Sequence, residues 1–269
     1  TLTYFFLDML AQKIKSKINL RKYLIYVLLA TVCDVMPIRK LNRLIAITAL
    51  KEFDFNNSIA INELCKLNNK KNKININDLG YLIGPILNSG GRLGKSNYAV
   101  ELLTTKNIEV ISKKSKDLME LNNKRKKIEF AILKFINFKK IEKENKNVIF
   151  YYEPSINEGL LGIIAARLKD YFNKPSIVIT NSKNFLKSSA RSTQNYNLGK
   201  AIKKSLDQNI IINGGGHNMA AGFTLQKSNR LIFEEFILND FIKSNTSFDT
   251  SLKYDSQISS TAFNKDFFD

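Results

Sequence analysis

The sequence is poor in the residues on which metal and redox chemistry depend. Among 269 residues there is one histidine, His217, and there are two cysteines, Cys33 and Cys65. Two lone cysteines make neither a disulfide framework nor a metal-type pair, so a reducing, intracellular setting is the expectation. No run approaches the roughly 18 uninterrupted apolar residues of a membrane span, and no signal-peptide pattern opens the chain, which makes a cytoplasmic protein with no membrane partner the expectation. Arginine is scarce as well: eight stand against 34 lysines. Where lysine is the default cation, an arginine reports a need for its planar fork. There is no initiator methionine, and the chain opens abruptly with the helical-looking TLTYFFLDML, so it is expected to be a fragment.

What is present points to a globular protein. With 44% hydrophobic and 25% charged residues, the chain can bury a sizeable core and form two compact units. A formal net charge of +18 suits a polyanionic partner, because lysine and arginine displace the counterions of phosphates. Runs such as KLNNKKNKININ and KKIEKENKNV also show a general excess of Lys, Asn and Ile. Charge alone therefore leaves nucleic-acid binding and mere coding bias equally open.

Residues 3–68 read as helices with short breaks, one of them ended by DVMP because a residue before proline is pushed out of the α region. LGYLIGPILNSGGRLG, 79–94, reads as a glycine-rich bend. Residues 105 to about 140 carry apolar positions at helical spacing, among them Ile108, Ile111, Leu118, Leu121, Ile128 and Phe135, and read as a connecting helix. From 147 onward short apolar runs alternate with helical ones. NVIFYYE, PSIVIT, FLKSSARS and AAGFTLQ read as strands; LLGIIAARLKDYF, LGKAIKKSL and SNRLIFEEFILNDFIK read as helices. Such alternation makes an α/β fold. SLKYDSQISSTAFNKDFF starts like a further strand and then stops.

Nine of the twelve glycines fall in two windows, five in 80–94 and four in 214–222. Glycine serves where the backbone takes positive φ or where something approaches it closely. In GGGH the second use is attractive: Gly214, Gly215 and Gly216 read as a loop, following an apolar strand NIIIN, whose free N–H groups make an anion-cradling concavity, with His217 placed to donate to a phosphoryl oxygen. The plainer reading is a turn with a structural histidine. In SSARS, Ser189 and Arg191 are two apart and share a face if this is a strand, so a hydroxyl stands beside a guanidinium, a pair suited to phosphate. A merely solvated strand face is the alternative. Arg92 is presented by GGRLG, either to an anion or to helix-end carbonyls. Asp34 follows the apolar run YLIYVLLATVC, where an acid is costly unless it is paired, caps a helix end or binds a cation. No His/Asp cluster stands near it to complete a metal site.

These stretches, in this order, resemble the RecJ family of the DHH phosphoesterase superfamily. The resemblance runs through ATVCDVMPIRKLNR, LIGPILNSGGRLGKSNYAVELL, LNNKRKKIE, NEGLLGIIAARLKDYFNKPSIVI, SSARS and GGGHNMAAGFTL. It implies an α/β protein in which residues 1–104 are the mostly helical C-terminal part of a DHH catalytic lobe. Residues 105–146 would be the connecting helix, 147–245 a DHHA1 lobe, and 246–269 the beginning of an OB-fold. It implies a two-metal, 5′-to-3′ exonuclease of single-stranded DNA that serves DNA repair and recombination, with a single-strand-binding protein or a helicase as candidate protein partners. By the same resemblance Asp34 is a catalytic ligand of the Mn²⁺ or Mg²⁺ pair, whose other ligands lie mostly outside this chain. Arg92, Ser189 and Arg191 hold a 5′ phosphate, Gly214, Gly215 and Gly216 let DNA approach the backbone, and His217 faces the scissile region. The sequence departs from the family pattern at Ile156 and Asn157, where Trp-His is usual, and at Ile86, where an arginine is usual. Two alternatives remain: another DHH phosphodiesterase, a nanoRNase or one acting on cyclic dinucleotides, and a single-strand-binding module without catalysis.

Overall fold

The computed structural model describes residues 1–70, 73–244, 254 and 256–268. The chain divides into two compact units, Thr1–Asn137 with Ile156–Leu160, and Phe138–Ser155 with Leu161–Asp269.

The first unit is helical. Its helices are α1 (Leu2–Lys13), α2 (Leu24–Cys33), α3 (Lys40–Glu52), α4 (Ile59–Leu67), α5 (Gly84–Arg92), α6 (Asn97–Thr104) and α7 (Ile108–Phe135). Side-chain caps set two of the starts. The Ser58 hydroxyl accepts the Ile61 N–H at 3.3 Å to open α4, and the Asn107 amide oxygen accepts the Glu109 and Val110 N–H groups at 2.9 and 3.2 Å to open α7. The run LIYVLLATVC of α2 is apolar nearly all round and is buried accordingly, packing with Ile61, Leu64, Leu79, Ile83 and Leu102 in one core. On α7 the expected periodicity is only half used. Ile111 and Leu118 enter that core, but the inward stripe continues with Ser115, Asn122 and Glu129, while Ile108 and Phe135 are exposed.

The expected glycine-rich bend at 79–94 is a helix. A π-helical turn, Asp78–Ile83, runs straight into α5. The glycines here serve close packing: a Cβ on Gly84 would meet the Cys33 Sγ at 2.5 Å, and one on Gly90 the Lys95 carbonyl oxygen at 2.6 Å. Sterically, the start of α5 lies against the end of α2 only because Gly84 has no side chain.

The second unit holds a five-stranded sheet: β1 (Ile149–Tyr152), β2 (Ser176–Ser182), β3 (Phe185–Arg191), β4 (Asn213–His217) and β5 (Ala220–Gln226), in the spatial order β1-β2-β3-β5-β4. Only β1 and β2 are parallel. Its helices are α8 (Phe138–Glu144), α9 (Leu161–Phe172), α10 (Leu198–Asp207) and α11 (Arg230–Lys243). Period-2 alternation sends Leu186 and Ala190 of β3 and Ala221, Phe223 and Leu225 of β5 to one face, where they meet Ala201 and Ile202 of α10 and Phe233, Ile237 and Phe241 of α11. Helix α9 covers β2 and β3 on the opposite face, where a Cβ on its Gly162 would touch the Ser189 Oγ at 3.2 Å.

The expected strand NIIIN is not formed; the strand is Asn213–His217, the glycines themselves. The N–H groups of Ile210 and Ile211 are taken by the Ser205 carbonyl at 3.0 and 3.5 Å, closing the end of α10, so pairing begins only after them. The strand expected in SLKYDSQ falls mostly on residues outside the described ones; beyond them come a 3₁₀ turn, Ser260–Ala262, and α12 (Lys265–Phe268).

Candidate nucleic-acid interface

Strand register assembles a site within the second unit. Residues directly opposite each other across paired strands point to the same face. Ser189 pairs with Gly222, which pairs with Gly215; Arg191 pairs with Ala220, which pairs with His217. These two rows lie on the face opposite the α10–α11 core. Two inter-strand steps separate Arg191 from His217, roughly 9.5 Å along the sheet. Between them the floor is Gly222, Gly215 and the small Ala220. The result is a shallow tray with Ser189 and Arg191 on one side and His217 on the other.

The side at β3 is built, not merely solvated. Ser189 and Arg191 are half-buried beside α9. The Arg191 guanidinium Nη1 donates to the Ala190 carbonyl at 2.9 Å and, at 3.4 Å, to the Ser189 Oγ. A Cβ on Gly162 would come within 2.9 Å of the Arg191 Nη2. A bare Cα at the start of α9 therefore leaves room for the fork. On the far side His217 is exposed at the end of β4, and the two-residue turn after it is anchored: the Leu198 N–H donates to the Asn218 carbonyl at 3.1 Å and the Ser192 N–H to the Met219 carbonyl at 2.9 Å.

The three glycines of GGGH are not a loop and do not share a job. Gly214 and Gly216 face the core side: a Cβ on Gly214 would meet the Phe223 Cβ at 2.7 Å, and one on Gly216 the Ala221 Cα at 2.6 Å. Packing explains both. Gly215 faces the tray, and a Cβ there would meet nothing within 4 Å. Among the described residues, packing gives no reason for its missing side chain. Gly222, opposite it, is likewise on the exposed face, its nearest neighbour to an added Cβ being the Ser188 carbonyl at 3.7 Å. The sequence reading missed Gly222 and Gly162. Alternation in AAGFTL, with Ala221, Phe223 and Leu225 apolar, carried the signal for Gly222; nothing in the sequence singled out Gly162.

Arg92 and Asp34 belong to the first unit. Arg92 is the last residue of α5, not a residue of a bend, and its Nη1 donates to the Gly159 carbonyl at 3.1 Å. The contact is mutual, since a Cβ on Gly159 would lie 2.2 Å from the Arg92 carbonyl oxygen. Burial, and then the charge of Arg125, pull the Arg92 guanidinium below its usual pKa. The departures from the family pattern lie nearby. Ile156 and Ile86 are buried, and the Asn157 amide oxygen accepts the Gly159 N–H at 2.9 Å, fixing the turn that Arg92 meets. Asp34 follows the last residue of α2 and is exposed, so the desolvation cost expected from its apolar neighbours does not arise. Its carboxylate makes no hydrogen bond or ion pair among the described residues and stands where the helix dipole is unfavourable to it. Among the described residues no group of three or more His, Cys, Asp or Glu side chains is placed to hold a metal ion. The residues around Asp34 therefore do not fit a pair of bound metal ions.

Comparison with known proteins follows this division. Residues 145–243 match the DHHA1 domain family. The chain is 32% identical over 226 residues to the single-stranded-DNA-specific exonuclease RecJ of Haemophilus influenzae, covering 80% of this chain and 39% of that protein. Over about four fifths of its length the chain is similar to RecJ proteins. RecJ of Escherichia coli is 30% identical over 227 residues, covering 81% of this chain and 39% of its own length. The chain thus spans about 39% of the length of these curated RecJ relatives. The fold agrees: crystal structures of Thermus thermophilus RecJ in complex with Mn²⁺ and with Mg²⁺ superpose with TM-scores of 0.73 and 0.72 at 22% identity, covering 83% of this chain and 33% and 35% of those chains. Every residue of the tray lies inside the DHHA1 match, whereas Asp34 and Arg92 precede it. No helix among the described residues is long and apolar enough to cross a membrane.

Proposed function

We propose that this chain serves a RecJ-type single-stranded-DNA exonuclease by gripping the DNA backbone. The observation that carries the reading is the tray. Gly215 and Gly222 leave a floor without side chains where internal packing asks for none, between a Ser–Arg pair and an exposed histidine. A phosphodiester on that floor would meet the Ser189 hydroxyl and the Arg191 fork from one side, where a guanidinium binds phosphate oxygens bidentately. From the other side the His217 imidazole would donate to a phosphoryl oxygen as negative charge develops on it. In the first unit Arg92 would bind a terminal 5′ phosphate: half-buried, with Arg125 as the charge acting on it, it gains from an incoming anion. This reading keeps the residue assignments made from the sequence, except that Gly214 and Gly216 would act by packing β4 and only Gly215 would meet the ligand. Residues 1–104 are read as DHH-lobe structure; the OB-fold entry expected at 246–269 falls partly outside the described residues.

Hydrolysis by the RecJ family is read as needing divalent ions, Mn²⁺ or Mg²⁺, which supply Lewis-acid stabilisation of the attacking and leaving oxygens when bound. Asp34 would be one ligand. The absence of a metal-holding cluster among the described residues favours binding without cutting for this chain by itself. The purified 269-residue chain is therefore expected to bind single-stranded DNA and to show no Mn²⁺-dependent nuclease activity. Robust digestion that Asp34→Ala abolishes would overturn that division of labour. The phosphate reading is tested with a 5′-phosphorylated oligonucleotide and its 5′-hydroxyl twin. Charge-assisted contacts worth about 1.5–3 kcal/mol each should favour the phosphorylated one, and equal affinity at several salt concentrations would sink the reading.

A further inference from the structure

Beside Arg92 stands a second arginine to which the tray and the metal chemistry give no task. Arg125 lies on α7, where its Nε donates to the Asn122 amide oxygen at 3.1 Å and its Nη1 to the Glu129 carboxylate at 2.8 Å. Asn122 and Glu129 are both buried, at 5% and 6% exposure, and the ion pair is an i,i+4 pair with little exposure on either side. Helices α5 and α7 touch just before this point: the Ser89 hydroxyl donates to the Leu118 carbonyl at 3.0 Å, and a Cβ on Gly90 would meet the Leu118 Cδ2 at 3.1 Å. Arg92 comes three residues after Ser89, and Asn122 and Arg125 come one and two turns after Leu118.

This arrangement is unusual for a structural ion pair. An arginine that only tied α7 together would be as useful on any stretch of the helix. Here it is held rigid from two sides beside another guanidinium, and eight arginines must serve a chain of 269 residues. Two like charges are brought together where one of them, Arg92, is half-buried and donates to a neutral carbonyl. Arg125 has its own carboxylate in Glu129, but no carboxylate pairs with Arg92 among the described residues, so an anion arriving there would offset both its burial and the charge of Arg125.

We infer that Arg125 is a positioning residue for the phosphate grip of the first unit: locked by Asn122 and Glu129, it raises the positive potential at Arg92 and sharpens the preference for a terminal phosphate over a hydroxyl. The inference rests on the reading of Arg92 as a phosphate contact. Glu129 sets the strength, because its charge opposes that of Arg125 at the same place.

The test uses the full 269-residue chain and a 3′-labelled oligo-dT with or without a 5′ phosphate, read by fluorescence anisotropy at fixed low salt, with circular dichroism to confirm folding. Arg125→Gln should lower the phosphate-to-hydroxyl affinity ratio by roughly five- to tenfold, the order expected for one unit charge acting through a half-screened medium. Glu129→Gln keeps the shape and the hydrogen-bonding capacity of the side chain but removes its charge, and should raise the ratio. Arg125→Lys keeps the charge and should hold the ratio near wild type. Opposite signs for the glutamine variants distinguish this role from a structural one, in which both would weaken the pair and change binding of the two oligonucleotides alike. A ratio unchanged in Arg125→Gln, or lowered in Glu129→Gln, overturns the inference. If Arg125→Gln does not fold, the increase in Glu129→Gln and the constancy of Arg125→Lys decide it. A wild-type ratio of one overturns the Arg92 reading itself, a failure visible before any variant is made.

Discussion

Gly215→Ala separates a ligand-binding glycine from a structural one more cleanly than any other change in this protein. An added Cβ meets nothing within 4 Å, and the residue is not among those with positive φ, so the folded protein accommodates alanine without strain. Alanine also restricts the unfolded chain more than glycine does, which stabilises by about 0.4–1 kcal/mol where the native conformation suits it. The melting temperature should hold or rise by a few degrees. If a phosphodiester rests on this floor, the methyl group occupies the space its oxygens need and breaks one charge-assisted contact worth about 1.5–3 kcal/mol, a loss of roughly 10- to 150-fold in affinity. The assay is anisotropy of labelled single-stranded DNA beside a thermal melt of the same preparation. Stability kept with affinity lost supports the tray; wild-type affinity in a stable Gly215→Ala chain refutes it. Gly216→Ala is the control, since there the Cβ would lie 2.4 Å from the Ala220 carbonyl oxygen and stability itself should fall.

Gly159→Ala should destabilise the first unit by about 1–3 kcal/mol or more, because a Cβ 2.2 Å from the Arg92 carbonyl forces the backbone apart; chemical denaturation measures it, and an unchanged midpoint would contradict the close approach. His217→Ala, at an exposed position, should leave the melting temperature unchanged while lowering single-turnover cleavage by a full-length, Mn²⁺-loaded protein carrying this chain by roughly 10²- to 10³-fold, as loss of a donor to developing charge does; wild-type cleavage would return the histidine to a structural role. Burial, with the Asp78 carboxylate adding to it, pushes the Cys65 thiol up to about 11, so Cys65 should resist alkylation at pH 8 in the folded chain and react once unfolded, as peptide mass spectrometry would show. A thiol whose pKa is higher folded than unfolded stabilises the fold below its unfolded value near 9 and loses that contribution as pH rises toward 11. Denaturation midpoints should fall across that window, and less so in Cys65→Ala.

The sequence made the tray legible wherever alternation was enough. Ser189 and Arg191, two apart in SSARS, do share a face, and the helices on either side begin and end close to where caps and breakers place them. Two readings failed for one reason: glycine has two uses that look alike in a sequence. In 79–94 it reads as a licence to bend, whereas Gly84 and Gly90 serve close packing within helical structure. In GGGH it was taken as a loop, although the segment is extended and paired with β5 throughout. The three isoleucines of NIIIN look like a strand, yet the end of α10 takes the N–H groups of Ile210 and Ile211, and only the Ile212 N–H donates to β5, to the Thr224 carbonyl at 2.9 Å. After an apolar run Asp34 reads as a costly acid in need of a partner, a helix end or a cation; it sits past the last turn of α2, in solvent, where that cost does not arise. The partnership of Arg92 with Gly159 joins residues 67 apart, and no local pattern announces such a pairing.

Strand β4 has one further consequence, for solubility. It ends the sheet, and an outermost strand offers unpaired backbone groups to any extended chain that arrives, the usual seed of runaway stacking between copies. Here the flank is five residues long and three of them are glycine, the residue least disposed to hold an extended pairing and with no side chain to interlock with a neighbour. The segment proposed to leave room for a nucleic acid is thus also a poor template for another protein strand. Replacing all three glycines by β-branched residues would remove the binding floor and create an adhesive border in the same step.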